Sequence, residues 1–172
     1  LIEKVHQALV QVADYYDIEL LETRDQYYLM QLVLFQVPEL QELLGQLRGK
    51  GAGALTDKNI TPEERATLTG LRYGILNIEG SVKQQVDMLY SDPGLKNYFS
   101  NAYSAFERSM QSLDVVLNQQ LLTSDQPTTD NTLFFNSVTE VIDTLGIFDQ
   151  QASQLLLKKV EQSVRTNCMR CG

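Results

Sequence analysis

The sequence predicts an all-α fold: an elongated up-down-up-down four-helix bundle with an extra short N-terminal helix. Three observations carry this. Apolar residues recur at alternating four- and three-residue spacing through Asp25–Leu55 (Val33, Val37, Leu40, Leu44, Leu47, Gly51, Ala54). The same spacing runs through Glu63–Leu89 (Leu68, Leu71, Ile75, Ile78, Val82, Gln85, Leu89). Such a stripe makes a helix adhesive along one narrow face, so the two segments should pack lengthwise as an antiparallel hairpin. Finally, no stretch shows the two-residue alternation of a half-buried strand.

Each element follows in order. Leu1–Ala13 places Ile2, Val5, Leu9 and Val12 on one face, a short helix, and Asp14–Glu22 reads as a kink. Thr23 with Gln26 fits a capping box and starts a long helix to about Thr56. Pro38 lies inside it and removes a backbone donor, so a bend is expected there while the seam continues in phase. The link Asp57–Ile60 is short. Thr61-Pro62-Glu63-Glu64 combines a cap, a first-turn proline and a closing glutamate, and the helix it opens should reach Tyr90. Ser91-Asp92-Pro93 marks the next break. The following helix, Gly94–Leu122, carries Leu95, Phe99, Ala102, Phe106, Ser109, Leu113, Val116 and Gln120, widened by Tyr98, Met110 and Leu117. After the polar loop Thr123–Asp130, the last helix spans Asn131–Arg165 with Phe134, Val138, Val141, Leu145, Phe148, Ala152 and Leu155 inward. Residues 1–167 form one domain, and 168–172 read as a tail.

Composition narrows the function. The chain has 172 residues, enough for one sizeable core, and 43% of them are hydrophobic. A net charge of −8 argues against binding to nucleic acid. No tract is long and apolar enough for a membrane span, and no signal peptide is visible. A chain that starts at Leu1 reads as a piece whose targeting information lies elsewhere.

Catalytic parts are missing. The one histidine, His6, makes Ser–His or Cys–His nucleophilic catalysis improbable and cannot furnish a di-iron bundle. Gly49, Gly51 and Gly53 lie in a helical seam with no preceding strand, so they read as points of close helix approach rather than a phosphate loop. Asp57-x-Asn59-x-Thr61 begins like a calcium loop but has Pro62 and Leu68 where glycine and glutamate are required. Both cysteines, Cys168 and Cys171, fall in the tail without the further ligands zinc needs. No enzyme activity, cofactor or metal is therefore expected.

Two arginines stand out. With the hairpin turn near residue 60, facing positions sum to about 120, which puts Arg48 opposite Arg72. Two guanidiniums at one level suit a small anion held between them. The alternative is that they reach solvent or pair with glutamates such as Glu42 and Glu79. Tyr73 and Tyr103 could add hydroxyls to the site; at helical spacing they also suit the core or its rim.

Tyr27-Tyr28-Leu29-Met30, Val37-Pro38-Glu39-Leu40 and Leu44-Gly45-Gln46-Leu47-Arg48-Gly49-Lys50-Gly51-Ala52-Gly53 together resemble extracytoplasmic regions of bacterial methyl-accepting chemotaxis proteins. Similar segments occur in membrane-bound histidine kinases and cyclic-nucleotide signalling proteins. The likeness is strongest over Thr23–Leu71. It implies a periplasmic helical sensor of an inner-membrane protein, dimeric, with membrane spans outside this sequence and a small-molecule ligand that shifts helices. It assigns a ligand role to Arg48. A fifth helix at Leu1–Ala13 departs from the four-helix pattern and implies either end-to-end stacking or a further helix upstream. The competing expectation is a non-catalytic adaptor bundle that binds partner proteins.

Overall fold

In the computed structural model the described residues are 23–124 and 126–170, with Lys4 and Gln7, both helical. The predicted kink Asp14–Glu22, most of Leu1–Ala13 and Cys171 lie outside them. The described residues are almost wholly helical and form four rods. The first comprises α1 (Arg24–Met30), a π-helical segment (Gln31–Gln36) and α2 (Val37–Thr56). The second is α3 (Pro62–Leu89). The third is α4 (Pro93–Val115) continued by a π-helical segment (Val116–Leu122), and the fourth is α5 (Asn131–Arg170). Helix α5 passes the expected end at Arg165, so residues 168–170 of the predicted tail continue the helix. Its 40 residues make a rod about 60 Å long.

The boundaries follow local chemistry. Thr61 accepts from the Glu64 N–H at 3.1 Å while Glu64 accepts from the Thr61 N–H at 2.8 Å, a closed capping box. Asp92 accepts from the Gly94 and Leu95 N–H groups, and Asp130 from Leu133. The expected box at Thr23 closes only halfway. Its hydroxyl accepts from Gln26 N–H, but the Gln26 amide turns into the core and donates to the Ser163 hydroxyl at 3.0 Å.

Pairs across the rods have nearly constant sums, as antiparallel neighbours require: Gln26 with Ser163 and Arg48 with Thr139, Arg72 with Asp114 and Lys83 with Glu107, Tyr98 with Gln151 and Ser109 with Thr144. The core is one continuous cluster along the axis, with Phe99, Phe106, Phe134 and Phe148 completely buried. The hairpin seam is placed as expected from Val33 to Ala54. On α3, Val86 is buried where Gln85 was expected, and Leu71 and Ile78 are half-buried.

Two π turns interrupt the rods, and at the second of them the seam changes phase, which corrects the sequence reading. Before Val33 the buried residues are Leu32, Leu29 and Gln26, and Met30, three residues back, is only half-buried. Below Leu113 the buried residues are Leu117 and Leu121, and the expected Val116 and Gln120 are only half-buried. A π turn closes its hydrogen bonds over five residues and holds one extra residue. Val37 N–H bonds to the Leu32 carbonyl, and Thr123 N–H to Asn118. Pro38 explains the first turn: its ring would press on the Leu34 carbonyl of an α-helix. The seam itself passes the proline in phase, as expected: Val33, Val37, Leu40 and Leu44 are all completely buried.

Of the three glycines expected to allow close approach, Gly51 alone does so. A Cβ there would collide with the buried Phe134 ring, whereas Gly49 and Gly53 face open space.

Candidate functional site

Arg48 sits on the face of α2 turned toward α5. Its guanidinium lies over the Phe135 ring, 4.9 Å from the centroid, and Nη1 donates to the Thr139 hydroxyl at 3.2 Å. That hydroxyl in turn donates to the Phe135 carbonyl. The contact partners are a ring and a neutral oxygen. Among the described residues, no carboxylate lies within ion-pair distance of Arg48.

Arg72 turns to the opposite neighbour. It forms a two-pronged pair with Asp114 of α4, at 2.7 and 3.0 Å, and this pairing is the main cause of its raised pKa. The space beside it, bounded by Leu47, Ile75 and Met110, is a void of about 10 Å³. The expected anion site between the two arginines is therefore not assembled. They share a level of the hairpin, yet each lies to one side of its seam and reaches a different rod. Asp114 occupies the fork an anion would need.

The tyrosines separate likewise. Tyr103 is buried, with ring centroids 5.4 Å from Phe148, 6.0 Å from Phe106 and 6.3 Å from Tyr90. Burial first, then the negative charge of Glu107 and Glu79, holds its phenol protonated far above the ordinary range. Its place is in the core. Tyr73 is 66% exposed and borders an open groove of about 760 Å³ with Ile60, Pro62, Arg65 and Gly70.

Arg65 escaped the sequence reading, and Glu79 was named there only as a partner for the arginines. Arg65 donates to the carbonyls of Leu121, Leu122 and Ser124, the last at 2.9 Å, and so caps the end of the third rod from the side. Glu79 lies on α3 between Arg72 and Lys83. Burial, then Asp114 and Glu107, pushes its carboxyl upward, and Lys83 offsets this only in part. Heptad spacing of 65, 72 and 79 was the available signal; it marks one face of α3 but not which groups of the third rod meet it.

Among the described residues no group of three or more His, Cys, Asp or Glu could hold a metal ion, and no helix is long and apolar enough to cross a membrane. No family model matches the chain, and neither a curated protein nor a solved structure matches it.

Proposed function

We propose that this domain is the ligand-binding sensor of a bacterial transmembrane receptor of the chemoreceptor or sensor-kinase type, periplasmic and homodimeric, responding to a small anion. The observation that carries this reading is Arg48, a half-buried guanidinium between two rods whose hydrogen-bond and ring partners among the described residues are electrically neutral. A carboxylate, nitrate or similar planar anion would gain charge-assisted hydrogen bonds there without displacing an acid. Bound to Arg48, it would draw α2 and α5 together. The responsive joint is the α3–α4 face. These helices approach each other closely over little of their length. They are joined by Arg72–Asp114 and by the looser Lys83–Glu107 contact at 3.9 Å. A slide of this face by the ~1–2 Å typical of interface motions is the proposed response. Signalling requires that the anion prefer one arrangement of the rods.

Thermal melts at low salt with nitrate and dicarboxylates test this. Expected is a rise in Tm with ligand concentration, reaching about 2.7 kcal/mol at a hundredfold excess over Kd, and its loss in Arg48→Ala. An equal rise in Arg48→Ala would sink the assignment. The adaptor reading rests on large apolar side chains left in solvent, Phe35, Leu133 and Ile147, each more than half exposed. It gains if a broad ligand panel produces no shift.

A further inference from the structure

The two π-helical segments have different causes. The first abuts Pro38, which forbids the ordinary α connection. The second, Val116–Leu122, contains no proline and no glycine. Nothing in its own sequence demands a π turn, so the cause is tertiary.

That cause is visible in two clamps from α3. Arg72 grips Asp114, just before the segment. Arg65 grips the carbonyls of Leu121, Leu122 and Ser124 at its end. From Arg72 to Arg65 is seven steps along α3, while the carbonyls that Arg65 holds lie seven, eight and ten steps past Asp114 on the opposing rod. On average they lie beyond the span of α3, and the wider turn takes up the surplus. The π form buries Leu117 and Leu121. The α alternative would turn Val116 and Gln120 inward instead. Each arrangement has a real seam, and they differ by one residue, a rotation of ~100°.

We infer that Val116–Leu122 is a register switch, held in the π form by the Arg65 clamp and closing to an α-helix when that clamp is released. The Arg65 bonds run to neutral carbonyls, so the clamp is the weaker of the two. Release moves Leu121 out of the core and Gln120 into it, which breaks the hydrogen bond that Thr129 donates to the Gln120 side chain. Asp114 stays on Arg72, so the motion is confined to the end of the third rod.

The test uses single cysteines at 120 and 121 in the full chain carrying Cys168→Ser and Cys171→Ser, read by thiol-labelling rate. With Arg65 intact, Leu121→Cys labels about tenfold more slowly than Gln120→Cys. With Arg65→Met the order inverts. An unchanged order overturns the switch. Equal fast labelling at both sites also overturns it, because that is fraying rather than a change of register. Deletion of Val115, an exposed residue, gives an independent reading if Arg65→Met does not fold. Removing one residue there lets Leu117 and Leu121 meet the core in α register. This deletion is expected to keep the parent Tm to within about 3 °C. Deletion of Asn101, also exposed, moves Tyr103, Phe106 and Leu113 off the seam and is expected to melt far lower. Equal losses for the two deletions overturn the proposal.

Discussion

Gly51 and Phe134 set two opposing effects against each other at a single residue. Alanine is the better helix former by about 1 kcal/mol. At Gly51, though, the added methyl meets a ring with no exposed surface into which it could retreat. Overpacking of this kind costs about 1–3 kcal/mol, so Gly51→Ala is expected to lower the denaturant midpoint. Gly49→Ala and Gly53→Ala, facing open space, should raise it. Glu79 has the opposite character, since its charge is a burden to the fold. Its folded pKa lies above its unfolded one, so this contribution favours folding below the unfolded pKa and is lost as pH rises through the folded value. Glu79→Gln is expected to stabilise at pH 7, with the gain vanishing toward pH 4. A gain that persists unchanged at pH 4 would refute the assignment. The sequence exposed Gly51 and Arg48 as residues of interest because both sit on or beside a clear seam. It did not expose Asp114 as the partner of Arg72. The two are 42 positions apart, and only the packing of the third rod brings them together.

At the scale of the element, the caps were the most legible feature because their chemistry is local. Thr61 and Glu64 bond each other within one turn, whatever the rest of the chain does. Thr61→Ala is expected to cost about 1 kcal/mol, measured as a shift of the denaturation midpoint with unchanged slope. The π turns were less legible, although their signature is present. Leu29-Val33-Val37 and Leu113-Leu117-Leu121 each take two steps of four in succession. Continuing the regular alternation instead points to Val116 and Gln120. Two consecutive fours before a proline or at a helix end were the overlooked signal. The half-closed box at Thr23 has a different lesson. Gln26 had a local use as a cap and a distant one at Ser163, and the buried partner won.

For the whole molecule, the axis divides its labour between aromatic packing and polar contact. Phe99, Tyr103 and Phe148 form one cluster joining the third and fourth rods. Phe148→Ala should cost about 3–5 kcal/mol and lower Tm in a single cooperative transition. The α3–α4 face depends on ion pairs, so added salt should loosen it before it affects the aromatic cluster. Hydrogen exchange in α3 compared with α5 at rising ionic strength would register the difference. The all-α class and the four-rod plan were readable because each rod carries its own periodicity. Which face meets which neighbour was less so: the phase shifts at the second wide turn, and also without one where Val86 and Leu156 are buried in place of the expected Gln85 and Leu155.

Those wide turns also bear on ancestry. A helix gains a π turn most simply when a single codon is inserted and the flanking seams refuse to rotate. On that account a relative lacking the insertion would align with a one-residue gap within 116–122, where no proline accounts for the turn.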